Sequence, residues 1–404
     1  MVRIGIDARL YGVESGTGIG RYTQELLAQF AGLPQTHAMM EFVVFLQAAG
    51  YREFVCPNEH WTKVLADFRP YSVAAQTHFP RVIRNAHVDF MHFTHFDHPR
   101  VYRAPFIVTI HDLILLNHPS ARASTLGPLR FRVKFAMYQR ILAHAVHESF
   151  RILTPSQTVK DQIVKRFGVL PEKVIPTYLG IDHRGGGSTS GAGERRNRAV
   201  PPYLLYIGNA YPHKNVEQLI RVMPEARKRI PGLRLVLVGR EDDFSRRLRR
   251  EVVAHDFPHD AVVFFGPATD EERTQLLRGA AAYVTASFDE GFALPPVEAL
   301  ALDTPVIASD IPIHREILAD AALFFTKNND KSLVEQIVTT ITSRGSYDTI
   351  ERTKRAHRFT WGACVQETLL AYREVTTLLR ARSPATPWPH VEPPNAPQHV
   401  RGEP

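Results

Sequence analysis

The sequence is poor in the features that mark disulfide-rich or membrane-spanning proteins. It holds 2 cysteines in 404 residues, Cys56 and Cys364, and neither belongs to a C-x-x-C pair. This argues against a disulfide framework and against a cysteine zinc site. No apolar run reaches the ~18 residues that a membrane-spanning helix needs. The chain opens with MVRIGID, and an acid directly after so short an apolar run is unlike a targeting peptide. We therefore expect a cytoplasmic protein.

The composition is that of a well-packed protein with an excess of basic residues. Hydrophobic residues make up 44% of the chain and charged residues 22%, which excludes a wholly disordered chain. The 49 lysines and arginines outnumber the 41 acids, for a net charge of +8. Such a charge favours anionic partners, among them nucleotides, acidic membrane surfaces and nucleic acid, without choosing between them.

Short β-rich runs alternate with helical patterns along the chain, which predicts an α/β fold with parallel sheets. The length favours two large domains, because single cores stop growing at about 250–300 residues. The predicted strands are 2–7, 41–46, 88–93, 105–110, 150–154, 203–207, 233–238, 261–265, 281–285 and 304–308.

One predicted helix carries complete signals at both of its ends. Ser156 is a good N-cap, Val159, Ile163 and Phe167 recur at helical spacing, and Gly168 stands where a glycine ends a helix. The sequence therefore predicts a helix between Ser156 and Gly168.

A change of composition divides the chain. Residues 184–202 are rich in glycine, serine and charge and lack periodicity, which predicts a flexible linker between domains at 1–183 and 203–361. A last helix is predicted at 362–382. The proline-rich tail 383–404 is predicted to be disordered.

A glycine-rich segment, Gly16-Thr-Gly18-Ile-Gly20-Arg21, leads into a helical pattern. A nicotinamide-binding turn needs its first glycine directly after strand one and an acid at the end of strand two. Here the glycines begin nine residues after Asp7, and strand two ends without an acid. The segment departs from that pattern and is either a backbone site for a phosphate or a mobile surface loop.

A second motif places a lysine after a strand and a glycine turn. It reads Tyr206-Ile-Gly208-Asn-Ala-Tyr-Pro-His-Lys214-Asn215. A lysine at the mouth of a helix can neutralise a pyrophosphate while charge develops on the leaving group. By itself this motif is also compatible with a solvated lysine.

The strongest motif is the segment from Phe288 to Ala299. Glu290 and Glu298 stand seven intervening residues apart across a glycine turn, and Pro295 and Pro296 mark the first turn of a helix. A helix N-terminus with a carboxylate on each side suits a bound phosphate whose neighbouring hydroxyls donate to the carboxylates. We favour this functional interpretation over a helix-initiating acid beside a surface acid.

Together these motifs resemble those of family 4 glycosyltransferases, whose signature is a Glu-x7-Glu pair within E-G-F-x-L-P-x-x-E. Residues 290–298 match that signature, and the resemblance spans roughly residues 1–330. It implies the GT-B fold, in which two Rossmann-like, doubly wound parallel-sheet domains face each other across a cleft. The further matching segments are Asp7-Ala-Arg9, Gly16 to Arg21, His111-Asp112, Leu153 to Ser156, Tyr178 to Asp182 and Gly208 to Asn215.

The resemblance implies a role for each matching side chain. Glu298 resembles the glutamate that holds the nucleotide ribose, and Glu290 the one that contacts the donor sugar. Lys214 resembles the phosphate-binding lysine, and His111 the histidine beside the donor sugar. Glu290, His111 and Lys214 are therefore the predicted catalytic residues.

The resemblance also implies a backbone site for the donor diphosphate, with a lid around the loop of Gly18. Many family members place an arginine after the glycine of the strand turn, where this chain has Asn209. That cation is missing here or is supplied by Arg21 or Arg240. The predicted donor-binding backbone comprises Gly18, Gly208, Asn209, Gly291, Phe292, Ala293 and Leu294.

The resemblance implies a retaining hexosyltransferase that needs neither a metal nor another cofactor. GDP-mannose is the predicted donor, because the opening from Asp7 to Arg21 resembles bacterial mannosyltransferases of surface-polysaccharide and lipopolysaccharide assembly. The predicted acceptor is a glycan or a lipid-linked sugar, and no nucleic acid partner is expected.

Three alternatives remain at this point. The first is a UDP-sugar-dependent glucosyltransferase of the same family, and the second a non-catalytic GT-B protein that binds a glycan or a protein partner. The third, an NAD-dependent oxidoreductase, is disfavoured by the misplaced glycines. The absence of any Asp-x-Asp motif removes the main requirement of metal-dependent GT-A enzymes.

Two further features have a functional and a structural interpretation. His92, His95 and His98 are spaced like metal ligands, but they follow a strand, so an acceptor-lining or surface loop is favoured. The basic segment 122–140 either contacts an anionic membrane or presents a solvated basic face over a core stripe, and the second is slightly favoured.

Overall fold

The computed structural model of the protein describes residues 1–12, 18–33, 39–119, 128–181, 201–254, 257–258, 260–342 and 349–381. It divides into two compact units. The first takes in Met1–Leu113, Leu126–Tyr178 and Trp361–Pro404, and the second Ile114–Thr125 and Leu179–Thr360. Except for Pro201 and Pro202, the predicted linker 184–202 lies outside the described residues, as does the predicted tail 383–404.

The first unit is built on a seven-stranded sheet in which every strand pair is parallel. The strand order is β3-β2-β1-β4-β5-β6-β7. Its strands are β1 Val2–Asp7, β2 Met40–Leu46, β3 Trp61–Leu65, β4 Phe90–Phe93, β5 Phe106–Thr109, β6 Arg151–Thr154 and β7 Val174–Pro176. Its helices are α1 Gly18–Ala31, α2 Ala48–Glu53, α3 Val73–Thr77, α4 Phe79–Asn85, α6 Pro128–Glu148, α7 Gln157–Phe167 and the last helix, α16 Trp361–Ala381.

The second unit is built on a six-stranded parallel sheet with the order β10-β9-β8-β11-β12-β13. Its strands are β8 Tyr203–Ile207, β9 Arg234–Val238, β10 Val262–Gly266, β11 Ala282–Thr285, β12 Val306–Ser309 and β13 Leu323–Phe325. Its helices are α5 Ile114–Asn117, α8 Val216–Arg221, α9 Met223–Arg229, α10 Asp243–Ala254, α11 Asp270–Gly279, α12 Leu294–Ala301, α13 Pro312–Leu318, α14 Asp330–Thr342 and α15 Thr349–Ala356.

Both sheets reverse their strand order at one point, as a doubly wound fold does. The reversal lies between β1 and β4 in the first unit and between β8 and β11 in the second. In open α/β sheets, ligands bind outside the carboxyl ends of the strands at this switch point. The fold therefore marks one candidate site in each unit.

The last helix packs on the first unit. Its Tyr372 is fully buried, and the Tyr372 hydroxyl lies 2.7 Å from His92 Nδ1 on β4. The Tyr372 ring also packs against Phe30 of α1, with ring centroids 5.6 Å apart. In contrast, Ile114–Thr125, which lies within the predicted domain 1–183, groups with the second unit, where Asn117 Nδ2 donates to Asp289 Oδ2 at 2.7 Å.

All ten predicted strands are confirmed to within two residues at each end, but three strands were not predicted. The three are β3, β7 and β13, and each forms an edge of its sheet. Edge strands are short and only partly covered, so they lack the continuous apolar run that identifies a buried strand. In β3, for example, Thr62 and Leu65 are exposed.

The basic helix α6 presents apolar side chains among its charges. Val133 and Met137 are exposed at 57% and 39%, next to the exposed Arg132 and Lys134. On the other side of the helix, Phe131 and Phe135 are half-buried and Tyr138 is buried. The helix therefore has the core stripe that the sequence analysis slightly favoured, and Val133 and Met137 lie outside it. Among the described residues, no helix is both long and apolar enough to cross a membrane.

Candidate active site

The two strongest sequence motifs meet at the switch point of the second unit. Gly208 directly follows β8, and Ser287 to Glu290 follow β11, the parallel neighbour of β8. The Phe288 backbone N–H donates to the carbonyl of His213 at 2.7 Å, which joins the two loops. Segments about 75 residues apart in the chain thereby share one end of the sheet.

Lys214 and Glu290 form an ion pair in this site. Lys214 Nζ donates to Glu290 Oε2 at 2.5 Å, and Ser287 Oγ donates to Glu290 Oε1 at 2.7 Å. The side chains of Lys214 and Glu290 are 23% and 11% exposed. Burial acts to raise the pKa of Glu290, but the Lys214 charge and the hydrogen bonds hold that pKa below its ordinary value. Glu290 is therefore a carboxylate at neutral pH.

A buried histidine that the sequence analysis did not identify supports this pair. His314 of α13 donates from Nδ1 to the Ser309 carbonyl at 2.8 Å, and Ser309 Oγ donates to the Ser287 carbonyl at 2.6 Å. Burial lowers the pKa of His314, while the nearby Glu290 charge opposes that shift. One feature of the sequence could have identified His314. It follows a strand closely, as Glu290 does.

The helix N-terminus behind Glu290 offers fewer donors than the motif indicated. Helix α12 begins at Leu294 with Pro295 and Pro296 in its first turn, as predicted. Proline has no N–H, so two of the four unpaired donors of a helix start are absent. Ala293, the N-cap, has a left-handed φ of 77°, a strained conformation that is typical of functional loops. An anion here would meet backbone N–H groups of the turn 291–294 more than those of the helix.

Glu298 lies on α12 and pairs with an arginine of another helix. Arg273 Nη2 of α11 donates to Glu298 Oε2 at 2.7 Å, and the Glu298 side chain is 14% exposed. The sequence analysis did not identify Arg273. The ion pair fixes the carboxylate on the second turn of α12, where a ribose hydroxyl could donate to it.

Three glycines pack the carboxyl ends of β8, β9 and β10 closely together. A Cβ on Gly239 would lie 2.2 Å from the Gly208 carbonyl oxygen, and Gly239 N–H donates to the Gly266 carbonyl at 2.9 Å. A groove beside them is lined by Arg240 and Glu241. The predicted site residue Asn209 contributes its backbone carbonyl, which accepts from the Tyr206 hydroxyl at 2.9 Å.

Two predicted site residues, His111 and Gly18, belong to the first unit. His111 follows β5, and its Nε2 donates to the Thr94 carbonyl at 2.9 Å, which leaves Nδ1 as an acceptor. Burial lowers the pKa of His111 to about 4, so the imidazole is neutral at pH 7. Gly18 is the exposed first residue of α1, and the preceding Gly16 lies outside the described residues.

The three histidines of the HFTHFDH segment have separate partners. His92 hydrogen-bonds Tyr372 and Thr109, while His98 Nε2 lies 2.7 Å from His144 Nδ1. In the described part of the chain, no three His, Cys, Asp or Glu side chains are grouped so that they could hold a metal ion.

Comparison with known families agrees with this geometry. The model of glycosyltransferase family 4 matches residues 16–184, and that of the glycosyl transferases group 1 matches residues 194–357. The first match covers most of the first sheet, and the second covers the whole second sheet with Lys214, Glu290 and Glu298.

Individual relatives support the same family. The chain is 27% identical to the O-antigen chain mannosyltransferase RfbU of Salmonella typhimurium over 328 residues, which cover 79% of this chain and 86% of that protein. It is 25% identical to the O-antigen chain mannosyltransferase B of Escherichia coli over 66% of this chain and 70% of that protein. The fold is similar to that of the sucrose-phosphate synthase from Thermosynechococcus elongatus, with a TM-score of 0.71 and 16% identity over 94% of this chain and all of that one. The chain belongs to glycosyltransferase family 4 and is a hexosyltransferase of the GT-B fold.

Proposed function

We propose that the protein transfers a mannosyl group from GDP-mannose to a hydroxyl of a glycan or lipid-linked acceptor, with retention of the anomeric configuration. The Lys214–Glu290 pair at the switch point of the second unit carries this proposal. A cation and a carboxylate held 2.5 Å apart at the ends of β8 and β11 suit a substrate that brings both phosphate and hydroxyl groups.

The diphosphate is assigned to Lys214 and the turn 291–294. When the donor binds, a phosphate oxygen takes a place at the Lys214 ammonium, and the Glu290 carboxylate accepts from a hydroxyl of the sugar. Glu298, oriented by Arg273 at 2.7 Å, accepts from the ribose. No metal or other cofactor has a part in this proposal, since Lys214 and the backbone N–H groups supply the positive charge.

The groove beside Gly208 and Gly239 is assigned to the nucleotide base. Its lining includes Arg240 and Glu241. Guanine presents an N–H and an amino group side by side, and one carboxylate can accept from both. Uracil and adenine lack this pair of donors, so Glu241 supports a guanine nucleotide over the UDP-sugar alternative.

The reaction follows a front-face course. The bond between the anomeric carbon and the diphosphate oxygen breaks while the acceptor hydroxyl oxygen bonds to that carbon on the same face. The hydroxyl proton passes to the departing diphosphate, so no side chain of the enzyme acts as a base. Lys214 stabilises the growing charge of the diphosphate, and His111, neutral at pH 7, is assigned to orient the sugar through Nδ1.

The mannosyl assignment is supported by the two O-antigen relatives, both of which are named mannosyltransferases. A lipid-linked acceptor would lie at a membrane surface. The exposed Val133 and Met137 among the charges of α6 suit a peripheral contact with anionic lipid at the inner face of the membrane.

Thermal unfolding with saturating GDP, UDP, ADP, dTDP or NAD tests the donor. A ligand at 100 times its Kd stabilises the fold by about 2.7 kcal/mol, so we expect the largest shift with GDP. Glu241→Gln should weaken GDP binding by about tenfold, since a hydrogen bond to a charged group is worth about 1.5–3 kcal/mol. UDP binding should stay the same.

The matched control is Glu335→Gln, an exposed acid on α14 of the same unit, which should change neither shift. A larger shift with UDP than with GDP would contradict the GDP-sugar assignment while keeping the enzyme class. A response to NAD alone would contradict a nucleotide-sugar donor altogether.

A further inference from the structure

The switch point of the first unit holds a cavity with buried charges that the donor assignment does not use. It lies where β1 and β4 end, and Arg9, His95 and Asp97 line it together with Pro70. We call it the Arg9 cavity. The Arg9 and Asp97 residues are only 3% and 2% exposed.

Arg9 is held rigidly, yet one of its nitrogens has no hydrogen-bond partner among the described residues. Its Nε and Nη2 donate to the two Asp7 carboxylate oxygens at 2.9 and 2.8 Å, and Nη2 also donates to the Asp97 carbonyl at 2.9 Å. The guanidinium carbon lies 4.4 Å from the centroid of the Phe79 ring, which fixes its plane. Nη1, with two N–H donors, is buried and makes no hydrogen bond to any residue that the structure describes.

Asp97 and His95 add further unused hydrogen-bonding atoms. Asp97 Oδ2 accepts from the Tyr71 backbone N–H at 2.7 Å, while Asp97 Oδ1 has no hydrogen-bond partner within the described ranges of the chain. His95 Nε2 hydrogen-bonds the Tyr71 hydroxyl, and His95 Nδ1 has no hydrogen-bond partner in the part of the chain that the structure describes. Buried polar groups are normally paired. Three atoms around one cavity that lack a partner in the described structure therefore point to a group that binds there.

Tyr71 adds an exposed aromatic surface beside these atoms. Its residue is 53% exposed, and its backbone has a left-handed φ of 62°. A bulky residue in this conformation is strained, and such strain persists where the surroundings enforce it, commonly at functional sites. Asp97 enforces it here through the backbone N–H of Tyr71.

The charges of the cavity select against an anionic ligand. Asp7 and Asp97 contribute two negative charges against one positive charge on Arg9. Burial lowers the pKa of His95 well below its ordinary value, so His95 adds no charge at neutral pH. A phosphate or carboxylate would be repelled, whereas a hydroxyl can accept from Arg9 Nη1 and donate to Asp97 Oδ1.

We propose that the Arg9 cavity binds a neutral hexopyranoside, with adjacent hydroxyls on Arg9 Nη1 and Asp97 Oδ1 and a ring face against Tyr71. Calling this sugar the acceptor rests on the proposed function. The cavity then recognises the acceptor by the hydroxyl groups of the sugar. Any phosphate of a lipid-linked acceptor is bound elsewhere.

The test is saturation-transfer NMR on the full chain with saturating GDP. The probes are methyl α-pyranosides of mannose, galactose and glucose, with mannose 6-phosphate as the anionic comparison. We expect saturation of the ring protons of at least one neutral hexoside and none for the phosphate.

Three variants locate the binding. Asp97→Asn should lower the hexoside affinity by about tenfold or more, because it removes a charged acceptor. Tyr71→Ala should abolish the signal, and the matched control Tyr71→Phe, which keeps the ring, should retain it. All three variants should keep the GDP-induced thermal shift of the second unit. If Asp97→Asn does not fold, the comparison of Tyr71→Ala with Tyr71→Phe tests the proposal.

Absence of hexoside binding would overturn the proposal and leave the cavity to an ordered water. Equal binding of mannose 6-phosphate, or equal hexoside binding by wild type and Tyr71→Ala, would also overturn it. If hexoside binding depends on Tyr71 but GDP gives no thermal shift, the proposal for the Arg9 cavity is supported and the assignment of GDP-mannose as donor is contradicted.

Discussion

Lys214 lies between two negative groups that compete for it, the Glu290 carboxylate and the proposed diphosphate. Its ammonium is 2.5 Å from Glu290 Oε2. A diphosphate must therefore weaken this ion pair in order to bind. The two residues should differ in their effects on nucleotide affinity, although they touch each other.

We predict that Lys214→Met lowers the affinity for GDP and that Glu290→Gln does not. Lys214→Met removes the cation and should lower GDP affinity by about tenfold or more. Glu290→Gln removes the competing charge and should leave GDP affinity unchanged or raise it, while the turnover of GDP-mannose falls by about a hundredfold. Titration calorimetry with GDP and GDP release from GDP-mannose measure the two quantities.

The matched control is Lys228→Met, an exposed lysine of α9 that pairs with Glu225 three residues away, and it should change neither quantity. Equal losses of GDP affinity in Lys214→Met and Glu290→Gln would contradict this account. The pair would then be a structural ion pair whose loss disturbs the loops.

At the scale of residues, the sequence predicts which side chains belong to the site more reliably than it predicts the contacts between them. Lys214 and Glu290 were identified separately, each by its position after a strand. Their contact depends on β8 and β11 being neighbours, which no local pattern encodes. Arg273 was missed for the same reason, since it meets Glu298, 25 residues away, only through tertiary packing. His314 was missed although its partner Ser309 is only five residues away.

At the scale of elements, the close approach of β8 and β9 depends on Gly239, which has no side chain. A Cβ at Gly239 would lie 2.2 Å from the Gly208 carbonyl oxygen, too close for any real contact. The backbone of the β8 loop cannot yield without moving Asn209 and the residues that lead to Lys214.

We predict that Gly239→Ala destabilises the second unit by about 1–3 kcal/mol, the usual cost of overpacking. It should also weaken GDP binding, because the loop before Lys214 must shift. Chemical denaturation and GDP titration test both effects. Gly362→Ala is the control, since a Cβ there meets nothing within 4 Å, and an alanine in a helix should stabilise slightly. Unchanged stability and GDP affinity in Gly239→Ala would contradict the prediction.

Elements with local end signals were predictable from the sequence, and edge strands were not. Helix α7 runs from Gln157 to Phe167, with Ser156 Oγ accepting from Val159 N–H and Gly168 at a φ of 66°, as predicted. Those signals act within a few residues of the chain. By contrast, β13 has three residues and becomes a strand only because β12 provides hydrogen-bonding partners.

For the whole molecule, buried neutral histidines set the response to acid. Burial lowers the pKa of His92 and His98 to about 3, and that of His111 and His213 to about 4. In the unfolded chain a histidine has a pKa of about 6.5. Between these values the unfolded state binds more protons than the folded state, so stability must fall as the pH drops below about 6.5.

We predict that each of these histidines costs about 1.4 kcal/mol of unfolding free energy per pH unit between about pH 6 and pH 4. Three of the four lie in the first unit and only His213 lies in the second. The first unit should therefore lose stability faster on acidification. Calorimetric scans from pH 7.5 to pH 5 should resolve two transitions at the acid end, of which GDP raises only the second.

His98→Gln provides an internal control, because it removes one titrating group from the first unit. The variant is expected to be less stable than wild type at pH 7.5, since His98 Nε2 loses its contact with His144. The difference in unfolding free energy between the two proteins should then shrink as the pH falls. Only wild type loses stability through the protonation of His98 in the unfolded state. A constant difference between pH 7.5 and pH 5, or an acid transition that GDP shifts as a whole, would contradict the assignment of acid sensitivity to the first unit.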